Sequence, residues 1–398
     1  MEKQIDPVRN LKEHDRIQKA AEISNGANKI VVGIDASRSN VAQRTGTEYY
    51  SFEIIRQMCK SKDFRFRLYS KTPIDYLKDD VYRDIENKVM KFPRLWSQIR
   101  LSYEIMRHPP DVTFFPAHTI PIYHGKKTVV TLHDVGFRYY PELYTPLERN
   151  YHNFSMAFSV RHATKIIAIS EATKKDLISF YKADEKRIEV IYHGYDKEKY
   201  FPLKTGQAIP DDIKKLQPYI YFISRLEAKK NVKNLIKAFG KLKTNKNIKH
   251  KLVLAGRPGY MYDEIKKEVE LLPQDIKGDV VELGYVPDDK VADLMRNAGI
   301  FAFPSNFEGF GMPLVEAMAC GVPIVASNTT SIPEIVKDAA ILCDPASYVK
   351  IADALEKTIL DKSLAKGLIE RGLKRAQVFN WEDAAQKTLR VISAAASS

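Results

Sequence analysis

Two carboxylates and two cations stand where they could act on a phosphorylated, hydroxyl-rich ligand. Glu308 and Glu316 are eight residues apart, as E-x7-E, around the loop-to-helix junction in NFEGFGMPLVEAMACG. Gly309 and Gly311 let backbone approach a ligand with no Cβ in the way. The helix expected over 313–321 has proline inside its start and glycine at its end, and it offers unpaired N–H groups and a positive dipole end to a phosphate. A glutamate beside such a site makes no sense as an anion ligand. It makes sense as an acceptor from hydroxyl groups, where ionisation roughly doubles the strength of the bond. Phosphate flanked by hydroxyl-binding carboxylates suggests a sugar nucleotide. Spacing alone leaves open that Glu316 only caps its own helix and that Glu308 is solvated. Arg225 and Lys230, five apart in a strand-to-helix turn, would place two fixed cations on the same sheet edge. There they would cancel diphosphate charge as a leaving group departs; plain surface solvation is the alternative.

The elements that must position these groups follow from the apolar runs. Residues 299–303, GIFAF, form a short continuous run that reads as a buried parallel strand delivering Glu308. Similar runs occur at 29–35, 64–69, 111–115, 128–132, 165–169 and 188–192. After a polar, proline-containing linker over 199–218 they resume at 219–224, 251–255, 280–283, 323–326 and 340–343. Strands alternating with helical segments imply an α/β fold with parallel sheets, and such sheets bind ligands beyond the carboxyl ends of their strands. Gly46 and Thr47 open a helix after the first strand. The run at 128–132 delivers His133 and Asp134 to its carboxyl end, although a lone histidine there is more often structural.

The stretch EGFGMPLVEAMACGVPIVAS, with the turn at 332–334 and AAILCDP after it, resembles the donor-site signature of the retaining GT-B glycosyltransferases, family 4. The likeness extends over residues 29–392. It implies two doubly wound, Rossmann-like domains facing across a cleft. Residues 1–28 would be a polar extension, 29–200 the acceptor domain, 201–378 the nucleotide-sugar donor domain, and 379–398 a helix crossing back onto the first domain. It also implies that His133, and with it Asp134, faces the donor sugar, that the Gly46 loop faces the donor phosphates, and that Val286 lies in a turn near the base. Most members carry two adjacent glycines where this chain has Thr45-Gly46, and an asparagine where it has His193. On this reading Glu316 holds ribose hydroxyls. Glu308 holds the 3- and 4-hydroxyls of the sugar, beside the backbone amides of Gly309, Phe310, Gly311 and Met312.

The expected activity is a metal-independent, retaining hexosyl transfer from a nucleoside-diphosphate sugar to a glycan or lipid-linked acceptor in surface-polysaccharide synthesis. No D-x-D-like pair suits a metal, and no cofactor is expected. TGTEYYSFEI and TLHDVGFRYYPEL look most like mannosyltransferases, which favours GDP-mannose over UDP-glucose or another UDP-hexose. A non-catalytic nucleotide-sugar-binding protein is the competing class, but it would be expected to lack one of the cations or glutamates.

Composition bounds the rest. At 398 residues the chain exceeds one ordinary core. Its net charge of +13 favours anionic partners, but no nucleic-acid-binding motif is present. Cys59, Cys320 and Cys343 follow no metal or redox spacing. The N-terminus has no apolar h-region, which predicts a cytoplasmic protein. In KFPRLWSQIRLSYEIMRH, the residues Leu95, Trp96, Ile99, Tyr103 and Met106 alternate with basic ones. Such a segment could lie peripherally on an anionic membrane; a core-facing stripe with a solvated basic face is the simpler expectation.

Overall fold

The computed structural model describes residues 29–41, 44–82, 85–117, 119–245 and 248–398. The polar segment expected over 1–28 lies outside them. Two sheets carry the architecture. The first contains β1 (Ile30–Asp35), β2 (Phe64–Ser70), β3 (Ile85–Val89), β4 (Val112–Phe115), β5 (Thr128–Leu132), β6 (Lys165–Ala168) and β7 (Ile188–Val190), in the order β3-β2-β1-β4-β5-β6-β7. The second contains β8 (Tyr219–Ile223), β9 (Lys251–Ala255), β10 (Val280–Gly284), β11 (Ile300–Phe303), β12 (Ile324–Ser327) and β13 (Ala340–Cys343), in the order β10-β9-β8-β11-β12-β13. Every pairing is parallel.

Helices cover both faces of these sheets, so the central strands VTFF, TVVTL, IFAF and IVAS are buried at every position. Strand order reverses between β1 and β4 and again between β8 and β11, and those two switch points define the ligand-binding edges of a doubly wound sheet. β3 has no counterpart in the sequence reading. Its IENKV is half-exposed at the edge of the sheet and so lacks the apolar run that marks the others.

The helix Trp381–Ala396 returns to the first sheet. Trp381, Ala384, Ala385, Ile392 and Ala395 pack into the same core as Tyr50, Ile54 and Phe114. The helix continues to Ala396, and Ala395 is buried. The three cysteines are free and buried.

One expectation is corrected. Of the stripe at 95–106, Trp96 faces the core but Leu95, Ile99, Tyr103 and Met106 are exposed, while Leu101 and Ile105 are buried in their place. The backbone explains the change. Leu95 has a left-handed φ of 53°, and Ser97–Leu101 is a π-turn in which Leu101 N donates to Trp96 O at 2.9 Å. Trp96 and Leu101 are buried in the same core, and Trp96 Nε1 donates to Met90 O at 2.7 Å.

Candidate active site

The two sheets present their carboxyl edges to each other across a cavity of about 380 Å³, within the range of small-molecule sites. Residues from both halves line it. Gly46, His133 and Asp134 come from the first. Lys230, Glu308, the run Gly309–Met312 and Glu316 come from the second. Two predicted residues are not on its wall. Arg225 is exposed, with its guanidinium 3.8 Å from the Glu227 carboxylate, and Val286 packs half-buried against the second core.

The second half holds its residues rigidly. Asn231 adopts a left-handed φ of 59° after the turn carrying Lys230, and its Nδ2 donates to the carbonyls of Pro304 and Pro345 at 3.0 and 2.8 Å. Asn306 N donates to Lys229 O at 3.0 Å, which ties the two strand-to-helix turns together. Lys230 Nζ donates to Glu308 Oε1 at 2.7 Å, and Ser305 Oγ donates to the same oxygen at 2.7 Å. The expected diphosphate cation and sugar-binding carboxylate are thus each other's partners. Ser331 Oγ reaches the carbonyls of Glu308 and Phe310 at 3.0 and 3.1 Å and so fixes the loop from behind.

Two helix N-termini open on the cavity. The helix Met312–Ala319 starts after Gly311, whose φ of 96° suits glycine, and no side chain caps it. The helix Gly46–Met58 starts after Thr45, again without a side-chain cap on its N–H groups. Two helix starts without a side-chain cap make the cavity attractive to phosphate oxygens.

Glu316 sits half-buried one turn into its helix. Burial pushes its carboxyl up to about 7, against the opposing pull of the Lys199 ammonium and a hydrogen bond from the Tyr200 hydroxyl. Lys199 also binds Asp288, Nζ to Oδ1 at 2.6 Å. The carboxylate therefore faces the cavity rather than serving as a cap on the solvated end of its helix.

The halves touch at the donor-side loop itself. A Cβ on Gly309 would lie 2.3 Å from His133 O, so only glycine permits this approach. Ser170 Oγ donates to Gly309 O at 2.7 Å, and Thr173 Oγ1 donates to His133 O at 3.2 Å. His133 itself is buried, with Nε2 at 2.8 Å from Pro116 O. Asp134 Oδ1 accepts from Gly136 N at 2.7 Å, so its carboxylate shapes the turn after β5. Glu334, on the second half, accepts from the amides of Glu171 and Ala172 at 3.0 and 3.4 Å and thereby caps the helix Glu171–Tyr181 of the first.

Sequence reasoning missed His193 as a cavity residue. It is 3% exposed and lines the cavity, and both ring nitrogens lack a hydrogen-bond partner in the protein. Its ring lies 4.5 Å from Phe310, 4.7 Å from Tyr50 and 5.6 Å from Trp381, centroid to centroid. Burial, with the neighbouring His133, holds its pKa well below the usual histidine value. The one signal in sequence is the histidine at a position where the family usually has asparagine.

Family models match both halves. The model for Glycosyltransferase Family 4 matches residues 44–199, and the model for glycosyl transferases group 1 matches residues 208–375. The chain belongs to the GT-B glycosyltransferases, family 4. It is 28% identical over 365 residues to O-antigen chain mannosyltransferase B of Escherichia coli, across 87% of this chain and 95% of that protein. It is 26% identical over 284 residues to the serotype-specific mannosyltransferase WbdA of E. coli, across 68% of this chain but 33% of that one. The chain spans about a third of WbdA's length. Among solved structures, HepE of Anabaena in complex with UDP and glucose superposes with a TM-score of 0.68 at 20% identity, over 92% of this chain and 100% of that one. The lipopolysaccharide-biosynthesis glycosyltransferase WaaG gives 0.68 at 16% identity, over 91% and 99%. This glycosyltransferase shares with both the two-domain GT-B fold.

Proposed function

We propose that the chain transfers mannose from GDP-mannose, with retention of configuration, to a glycan or lipid-linked saccharide in surface-polysaccharide synthesis. The observation that carries the choice of mannose is the likeness to O-antigen chain mannosyltransferase B, which extends along nearly the whole of both chains. In this proposal the diphosphate lies between the uncapped ends of the Gly46 and Met312 helices, close to Lys230. The sugar hydroxyls meet Glu308 and the amides of Gly309, Phe310, Gly311 and Met312, and the ribose hydroxyls meet Glu316. His133 bounds the sugar from the first half.

The reaction breaks the bond between the anomeric carbon and the diphosphate oxygen and forms one to the acceptor oxygen on the same face. The acceptor's proton passes to the departing phosphate. Charge developing on that phosphate is met by Lys230, by the helix amides and by Arg225, without a metal ion; donors already in place for it stabilise the transition state more than the ground state. Arg225 must leave Glu227 to take part. Lys230 need not give up Glu308, since an ammonium has three donors and can bridge carboxylate and phosphate.

The test is transfer from GDP-mannose to a mannan acceptor, followed by the anomeric configuration of the product. An α-mannosyl product with release of GDP is expected. A β-linked product would overturn retention, and turnover with UDP-glucose in place of GDP-mannose would overturn the choice of donor.

A further inference from the structure

Glu334 stands outside the cavity, yet it joins the two walls that form it. It lies in the short helix Ile332–Val336, which is fixed within the second half. Ile332, Ile335 and Val336 are fully buried there, and the Arg375 guanidinium donates to the carbonyls of Glu334 and Ile335 at 2.8 and 2.9 Å. The same turn carries Ser331, whose Oγ reaches the carbonyls of Glu308 and Phe310 at 3.0 and 3.1 Å. One segment thus holds the loop 308–310 with its hydroxyl and the first half with its carboxylate.

That carboxylate completes a helix of the other half. In the helix Glu171–Tyr181 the N-cap Ser170 accepts from Thr173 N at 3.0 Å. The amides of 171 and 172 have no acceptor within their own helix, as is general for a first turn. They donate to Glu334 Oε2 and Oε1 at 3.0 and 3.4 Å. A carboxylate that accepts from amides at the positive end of a helix makes a strong and directional contact. The N-cap then closes a circuit: Ser170 Oγ donates to Gly309 O at 2.7 Å, and Thr173 Oγ1 donates to His133 O at 3.2 Å. Contacts run from the loop 308–310 through Ser331 and Glu334 to the start of the helix, and through Ser170 back to Gly309. Ser170, Glu171, Ala172, Ser331 and Glu334 all lie off the cavity wall.

We propose that Glu334 is a positioning residue for transfer: by capping the helix of the first half, it sets His133 and the loop 308–310 at the separation the donor sugar needs. The proposal rests on the reading of the cavity as the donor site. On that reading the nucleotide is held chiefly by Lys230 and Glu316 of the second half, so its affinity does not depend on the circuit. The sugar is met from both halves, so the geometry of transfer does. A loosened circuit also admits water to the anomeric carbon. Its oxygen bonds to that carbon as the bond to the diphosphate oxygen breaks, its proton passes to the departing phosphate, and the sugar leaves free.

The experiment compares the full-length wild type with Glu334→Gln and Glu334→Ala. Gln keeps the size of the side chain and one acceptor oxygen, but sets an amide donor against a backbone N–H. It therefore tests the role even where the Ala variant fails to fold. With GDP-mannose and a mannan acceptor, kcat for transfer should fall about tenfold or more in the Gln variant and further in the Ala variant. GDP affinity by calorimetry should hold, and hydrolysis of the donor should rise relative to transfer. Hydrogen exchange without any donor should quicken both at 171–172 and in the loop 308–310. Unchanged transfer by the Gln variant would overturn the proposal, as would quickened exchange confined to 171–172, which would make Glu334 a helix cap and nothing more. A wild type that binds no nucleotide would count against the donor-site reading instead, and the exchange measurement would still decide whether Glu334 holds the loop.

Discussion

On the second half's side of the cavity, each turn carrying a glutamate or lysine is tied to another by side chains. Asn231 bridges to Pro304 and Pro345, Ser305 holds Glu308, and Ser331 holds the loop 308–310. On the first half's side, the Gly46 helix begins without a side-chain cap, and a Cβ at Gly46 would meet nothing within 4 Å. The difference fits a division of labour. On the proposed mechanism the wall that opposes charge in the transition state is the one tied in place beforehand, since donors already in place need no rearrangement as charge develops. The opposite wall leaves space for ligand and meets the rigid one through a few close contacts, chief among them Gly309 against His133.

Variants that attack the preorganised wall should have the largest effects. Lys230→Ala removes a fixed cation and leaves Glu308 without it, and turnover should fall on the order of 10²-fold or more. Full turnover in this variant would break the comparison at its strongest point. Gly309→Ala places a methyl group where His133 O stands, so the halves must separate locally. Misplacement of about an ångström can cost about 10²-fold, which steady-state kinetics would detect as a fall in kcat while the rigid turns remain folded.

Glu316→Gln should weaken nucleotide binding about tenfold, in line with loss of a charged acceptor, as read by calorimetry. The same group sets a pH dependence. Burial pushes its carboxyl up to about 7 in the folded protein, and the protonated form accepts hydroxyl hydrogen bonds poorly. Nucleotide affinity should therefore rise with pH through about 7, and the Gln variant should lose that rise. Stability of the free protein runs the other way: a carboxyl raised from 4.5 to about 7 binds its proton more tightly when folded, so its contribution falls as pH climbs between those values.

The smallest effect is expected at Gly46. With open space around it and a helical position, Gly46→Ala should leave thermal stability within about 0.5 kcal/mol, so any loss of donor affinity would report ligand approach alone. A large loss of stability would contradict the open character of that wall.

The sequence made the frame legible because parallel strands covered on both faces are continuous apolar runs, as at TVVTL and IFAF. Glycines and charges at their ends marked Glu308, Glu316 and Lys230. What stayed hidden depends on long-range pairing or on backbone detail. The Lys230–Glu308 bond and the Glu334 cap on the helix Glu171–Tyr181 join residues far apart in the chain. Periodicity grouped Trp96 with Ile99, Tyr103 and Met106, yet only Trp96 of these is covered, because a π-turn alters the spacing of inward positions. Arg225 was legible as a cation after β8 but not as an exposed one, since its side-chain direction follows from the turn and from Glu227.

The central claim is that the cavity between the halves is the donor site. Its most direct test is calorimetric titration of GDP, GDP-mannose, UDP and UDP-glucose into the wild type and into a Lys230→Ala, Glu316→Gln double variant. Saturable binding of GDP and GDP-mannose that the double variant loses is predicted. Nucleotide binding that survives both substitutions unchanged would contradict the assignment of the site.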